Sequence, residues 1–448
     1  PLTLSRFTKN PLITGTLLMT VAGIISRIIG FFYRIFLSRA IGAEALGIYQ
    51  LIAPVFSMCF ALTASAIQTS ISKFVGDSIG KCQGDSCGEK RARTYLMIGL
   101  ILSCTLSIMV GAFIYCNANW LALHLLGEAR CAPLLVMLTY SLLPSCIHAC
   151  INGYYYGKKK AFIPSLCQII EQFARVGSVY LIYEVVSDKE LPLTATHAVA
   201  GLVIGEFAGL LVCSLAFFSE KRLPLSSYKS ILPSSRKMTM LMLSMIFPLT
   251  LNRVSVALSA SLENLLIPQK LQVYGYTAGN ALSIYGILTG MTMSIILFPC
   301  VLTNSFSVLL LPAISEAQGK NQTRQIQTAT KKALLYGLLL GLLFTFFFLC
   351  TGNWIGNRLF HNALSGTFIC KLSWLCPLLY ITSLLGSILH GLGKARQVLF
   401  VNLLACGIRI SMIWFLVPVY GIGAYLWGLL LSQVFATIAS VLVLREYL

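Results

Sequence analysis

Residues 12–37 read LITGTLLMTVAGIISRIIGFFYRIFL, an apolar run that carries two arginines, Arg27 and Arg34. A helix needs about 20 apolar residues to cross the hydrocarbon of a bilayer, so the run is read as a membrane-spanning helix. An arginine held at the bilayer centre costs roughly 2.5–3.5 kcal/mol on insertion scales. A chain keeps such a residue where it faces a water-filled cavity or meets something negative. Arg175, Arg253 and Arg409 sit in other apolar runs in the same way. Few acids are at hand to pair with them: Glu171 and Glu206 are central, and Glu263 lies near an expected helix end. The excess of positive charge points to an anionic ligand such as a phosphate.

The same reading extends along all 448 residues, of which 57% are hydrophobic and 10% charged. That composition excludes a soluble globular protein and defines an all-α membrane protein. Twelve spans are expected, over roughly 12–37, 46–70, 94–116, 131–151, 161–184, 196–218, 238–266, 281–310, 333–352, 366–389, 397–418 and 422–444. Pro54, Pro144, Pro248 and Pro299 fall inside spans and mark kinks or hinges. The first apolar run is too long for a signal h-region and is read as a retained helix. Fifteen cysteines, most of them in apolar runs, act as small hydrophobes. Cys82 and Cys87 share a polar loop, but two thiols do not make a zinc site.

A net charge of +19 would fit nucleic acid if it were clustered, but the basic residues are scattered over short loops. Loops on the amino-terminal side of the expected spans hold 22 Lys and Arg, and those on the other side hold 6. This bias puts both termini in the cytoplasm and requires an even number of spans. Neither nucleic acid nor a metal or other cofactor is expected, and membrane lipids are.

The chain also repeats. Ile71-Ser72 follows span 2 and Ile314-Ser315 follows span 8, 243 apart; Gly157-Lys158 follows span 4 and Gly393-Lys394 follows span 10, 236 apart. These offsets give two pseudo-symmetric six-helix bundles, 1–220 and 238–448, joined by a linker at 221–237. In transporters built this way, substrate sites lie between the repeats.

Within the spans, Arg27 and Arg34 are seven apart, within about 20° of one another on a helix. They read as a cavity lining, with snorkelling to the interface the alternative for Arg34 and a backbone contact the alternative for Arg27. Glu171 and Arg175 form an i, i+4 pair, either a structural clip or a switch opened by phosphate or a proton. Asn252-Arg253 sits mid-span without an acid within four residues. Asn402 and Arg409 share a face, again without a local acid. Glu206 is either a coupling carboxylate for H+ or Na+ or an arginine's partner across the bundle. His148 and His390 read as core or interface residues, and Tyr154-Tyr155-Tyr156 as an anchor at the membrane interface, with the guiding in of a headgroup as the alternative. No Walker A or HExxH sequence is present, so an enzyme is not expected.

The stretches Ser26–Arg34, Leu37–Gln50, Ala66–Asp77, Asn152–Val176 and Ala313–Ala317 together resemble the stage V sporulation protein B family. That family sits in the multidrug/oligosaccharidyl-lipid/polysaccharide exporter (MOP) superfamily beside lipid II flippases and MATE antiporters. The resemblance implies a MATE-like, V-shaped pair of bundles working by alternating access in the bacterial plasma membrane. It implies a polyprenyl-pyrophosphate-linked sugar as substrate, a peptidoglycan precursor for the spore cortex, and cell-wall synthesis proteins as possible partners. Of the cavity arginines of lipid II flippases, Arg27 matches cleanly through Ser26-Arg27-x-x-Gly30-Phe31, whereas Arg34 sits one position off. Many relatives carry two further carboxy-terminal helices that form a lipid-tail groove. A chain ending after span 12 implies another groove or a different substrate. The expected activity is therefore flipping of a lipid-linked oligosaccharide. A MATE-like proton- or sodium-coupled exporter of organic cations is the alternative, and a non-transporting scaffold in a cell-wall complex is a third reading.

Overall fold

The computed structural model describes residues 11–81, 86–187, 193–220, 232–300, 302–303, 306–307, 310, 314 and 323–445. Most of the expected linker, 221–231, lies outside them, as do Cys82, the Cys87 side chain and Ser315. Among the described residues all regular structure is helical. In chain order the helices are α1 (Pro11–Ala40), α2 (Gly42–Phe60), α3 (Ala66–Lys81), α4 (Ser86–Trp120), α5 (Ala132–Gly157), α6 (Phe162–Ser187), α7 (Ala195–Ser219) and α8 (Leu232–Tyr274). They continue with α9 (Ala278–Gly286), α10 (Met293–Leu297), α11 (Thr323–Leu359), α12 (Ala363–Leu372), α13 (Leu375–Gly391), α14 (Ala395–Ser411), α15 (Val417–Tyr420) and α16 (Ile422–Val443).

Several pairs are single spans interrupted by a wide π turn. Ala61–Ser65 joins α2 to α3, Ile287–Thr292 joins α9 to α10, and Met412–Leu416 joins α14 to α15. Ten helical stretches among the described residues are long and apolar enough to cross a membrane, and eleven with the bent pair α12–α13. The remaining expected span, 161–184, is α6. At 26 residues it is long enough, but Gln168, Glu171, Gln172 and Arg175 lower its hydropathy. Helices also overrun the expected bounds. α8 has 43 residues and α11 has 37, because their polar ends go on making helical bonds beyond the apolar stretch.

The 56° bend between α12 and α13 has a local cause. Pro377 has no N–H to give to the Ser373 carbonyl. That carbonyl instead accepts from the Cys376 amide at 3.0 Å and the Thr345 hydroxyl at 2.9 Å.

The chain divides into two compact units, residues 1–30 with 51–261, and residues 31–50 with 262–448. Helices α1, α2 and α8 contribute to both. In the first unit, Ile67, Ile71 and Val75 of α3 pack against Leu96, Cys150, Tyr154 and Tyr155. In the second, Leu384, Leu385 and Ile388 of α13 pack against Ile326 and Ala333 of α11. Large apolar side chains such as Met109, Leu215, Phe247, Phe346 and Phe415 are exposed, as a lipid-facing surface requires.

The tyrosine run corrects an expectation. Tyr154 and Tyr155 are fully buried and are not an interfacial belt. The Tyr154 hydroxyl donates to Glu89 at 2.5 Å. Lys158 bridges Glu89 at 3.1 Å and Glu220 at 3.0 Å, and Lys160 reaches Glu220 at 2.9 Å. The basic end of α5 is thus clasped to α4 and α7.

The repeat is also shifted. α5 ends with the Lys160 amide on the Tyr155 carbonyl, and α13 with the Lys394 amide on the Leu389 carbonyl, each at 2.9 Å. The residues in the left-handed conformation are Lys159 (φ 57°) and Gly393 (φ 73°). The same cap is built twice, but Gly393 corresponds to Lys159, not to Gly157. Gly157 is small for another reason: a Cβ there would come 2.6 Å from the Ser72 carbonyl oxygen of α3.

Candidate functional site

The five arginines divide by what meets them. Arg253, midway along α8, donates through Nη1 to the Ser65 carbonyl at 2.5 Å and to the Ser65 hydroxyl, and through Nη2 to Thr69 Oγ1 at 2.6 Å. Ser65 closes the π turn that links α2 to α3, the kind of loosened helical turn that recurs at functional sites. All these partners are neutral. Among the described residues no carboxylate pairs with Arg253, so the guanidinium is positioned while its charge stays uncompensated. The Asn252 side chain lies outside the described residues. Ser255 and Ser259, close to Arg253 in sequence, bond to their own helix at Leu251 and Ser255.

Arg27 and Arg34 lie on one face of α1 and both are exposed. Arg27 has no hydrogen-bond or ion-pair partner among the described residues. Arg34 donates from Nη1 to Ser294 Oγ at 3.0 Å, again a neutral group. Ser26, next to Arg27, accepts at its carbonyl from Gln172 Nε2 at 3.4 Å. This docks α1 on α6 beside the charged cluster described next.

Arg175 is paired. Its Nη2 lies 2.6 Å from Glu171 Oε1 and 3.5 Å from Glu206 Oε1. The other Glu206 oxygen is 2.7 Å from His148 Nε2. Ligand atoms of His148, Glu171 and Glu206 all lie within 4.8 Å of one another, and Glu206 is 3% exposed. The approach of α7 to α6 depends on Gly201, where a Cβ would come 2.1 Å from Val179 Cγ2. Two carboxylates face one guanidinium. A protonated imidazole balances the cluster, and a neutral one leaves it a single negative charge.

Arg409 corrects an expectation. It is free of acids on its own helix, yet its Nε donates to Glu263 Oε1 at 2.8 Å, 146 residues away. Tyr425 donates to the same oxygen at 2.6 Å, and Arg409 Nη1 reaches Ser432 Oγ at 3.4 Å. Glu263 is buried and lies well inside α8. Asn402 points elsewhere, into a cavity of about 380 Å³ in the second unit, which His390 also lines.

The model of the polysaccharide biosynthesis protein family matches residues 12–318. The chain belongs to this family. Stage V sporulation protein B of Bacillus subtilis (strain 168) is 25% identical over 410 residues, covering 91% of this chain and 78% of that protein. Lipid II flippase MurJ of the same organism is 24% identical over 418 residues, covering 87% of this chain and 74% of that one. A multidrug resistance MATE family transporter of the MOP superfamily, in an inward-facing conformation, superposes with a TM-score of 0.73 at 15% identity, over 95% of this chain and 94% of that one. The fold is therefore MATE-like, and this polysaccharide biosynthesis family member is a multi-pass membrane protein.

In this family member, sequence reasoning found the Glu171–Arg175 pair because i, i+4 spacing is local. It missed His148 as the neighbour of Glu206, and Glu263 with Tyr425 as the partners of Arg409. Those pairs join helices far apart in the chain, and no local spacing signals them.

Proposed function

We propose that the protein flips a polyprenyl-pyrophosphate-linked oligosaccharide across the bacterial plasma membrane by alternating access, with its termini in the cytoplasm. A peptidoglycan precursor for the spore cortex is the substrate this reading favours. The observation that carries it is Arg253: a guanidinium held in place by neutral oxygens, with its charge left for an anion. Arg27 and Arg34, likewise without a carboxylate, are assigned to the same task of binding phosphate. Arg175 and Arg409 are assigned to ion pairs that hold their helices.

Glu171 and Glu206 are assigned to coupling, where H+ or Na+ takes a carboxylate when its pair with Arg175 or His148 opens. The alternative, an exporter of organic cations, needs buried carboxylates free to meet a cation. Here Glu171, Glu206 and Glu263 each lie against an arginine, which favours the flippase. A further expectation is that cell-wall synthesis proteins act as partners.

The test is translocation of a fluorescent polyprenyl-pyrophosphate-linked sugar in reconstituted vesicles. Arg27→Ala and Arg253→Ala should each abolish it at unchanged expression. Full translocation by both variants would refute the phosphate-binding role.

A further inference from the structure

The cavity of the second unit is not explained by phosphate binding or by coupling. It has a volume of about 380 Å³, within the range of small-molecule pockets, which run from about 300 to 1,000 Å³. Its described walls come from α13, α14 and α16, with Cys300 beside them. Ser383, Ser387 and His390 of α13 are spaced i, i+4, i+7 and so form one stripe. Between them Gly386 has nothing within 4 Å of where a Cβ would stand, which keeps the space open. Asn402 enters from α14 and Gln433 from α16.

Two features define what this cavity takes. The first is charge: among the described residues no Lys, Arg, Asp or Glu lines it, in a chain of net charge +19. A phosphate would find no cation there except a protonated His390, and an organic cation would find no carboxylate. The second is unused hydrogen bonding. Gln433 Oε1 is buried without a partner. The half-buried Ser383 and the exposed His390 and Asn402 have side chains without a hydrogen-bond partner among the described residues. The buried Gln433 oxygen is costly unless water or a ligand satisfies it, and the other three groups stand ready beside it. Two amides, hydroxyls and an imidazole around an uncharged space are the groups that pair with the hydroxyl and amide groups of a sugar.

We propose that this cavity binds the uncharged sugar portion of the substrate, separately from the arginines that hold pyrophosphate. The assignment deepens the flippase reading and rests on it. It makes the second unit the part that distinguishes a glycosylated lipid from the bare carrier.

The experiment compares binding of polyprenyl pyrophosphate with binding of the same lipid carrying a disaccharide, for wild type, Gln433→Leu and Asn402→Leu. Thermal melting is recorded as a folding control. Wild type should prefer the glycosylated lipid by about tenfold, the worth of one or two net hydrogen bonds, and each variant should lose most of that preference. Equal binding of the two lipids by wild type, or full preference in both variants, overturns the proposal. If wild type binds neither lipid, the flippase reading falls, and free disaccharide then decides the cavity. Saturation transfer to it from wild type but not from Gln433→Leu supports the site, and its absence from wild type overturns it.

Discussion

At the scale of single residues, the same side chain does different work according to what faces it. Arg253 and Arg409 both read as arginines without an acid close by in sequence, and of the two only Arg253 has no carboxylate partner among the described residues. Removing Glu263 should therefore hurt stability more than removing an average polar group, because it strands the Arg409 charge and the Tyr425 hydroxyl. Breaking a buried pair costs about 3–5 kcal/mol. Glu263→Leu should lower the melting temperature sharply, and Glu263→Leu with Arg409→Met should recover much of the loss. A double variant no more stable than the single one would contradict a structural role for the pair. Arg253→Lys should bind phosphate-bearing lipid worse than wild type although its charge is kept, since an ammonium cannot span Ser65 and Thr69 as the forked guanidinium does. Equal affinity of the two would show that charge alone suffices. Glu171–Arg175 was legible because four residues make one helical turn. His148–Glu206, 58 residues apart, was not.

At the scale of elements, close helix crossings decide what can be changed. In the second unit, α2 and α9 touch backbone to backbone. A Cβ on Gly286 would lie 2.2 Å from the Ala43 carbonyl oxygen, and one on Gly47 would lie 2.1 Å from the Leu282 carbonyl oxygen. No side-chain adjustment relieves a clash with backbone, so Gly286→Ala should reduce folded yield severely. Gly23→Ala, with nothing within 4 Å of the added carbon, should leave yield unchanged. Monodisperse protein recovered after purification reads both.

The clasp at the end of α5 carries a pH signature. Burial works to raise the Glu220 carboxyl, but hydrogen bonds from Lys160 and Lys158 and their charges outweigh it and hold the group below its usual range. A depressed folded-state pKa adds stability above the unfolded value, roughly 4.3 for Glu, and that stability is lost as pH falls through the folded value. The melting temperature should therefore drop as pH is lowered past about 4, and less steeply in Glu220→Gln. Identical slopes would show that the clasp contributes nothing. The apolar runs made the helices themselves legible. The burial of Tyr154 and Tyr155 was not, because an aromatic run beside lysines reads the same whether it meets lipid headgroups or the acids of neighbouring helices.

At the scale of the whole molecule, hydropathy and charge bias pointed to an all-helical membrane protein, and the MATE-like fold followed from the resemblance. The repeat of the helix cap was visible near half the chain length, although the register slipped by two residues, because Lys159 takes in one copy the left-handed conformation that Gly393 takes in the other. What a linear sequence could not supply was charge balance, which depends on pairs made across helices. Once those pairs are assigned, an excess of five arginines narrows to three without a carboxylate among the described residues. The central claim is that this remaining charge holds a pyrophosphate. Native mass spectrometry of purified wild type and Arg253→Ala with a polyprenyl-pyrophosphate-linked sugar tests it most directly. The account predicts retained lipid on wild type and, from the loss of charged hydrogen bonds, at least about tenfold less on the variant. Equal retention by both, or binding of organic cations in place of the lipid, would contradict it.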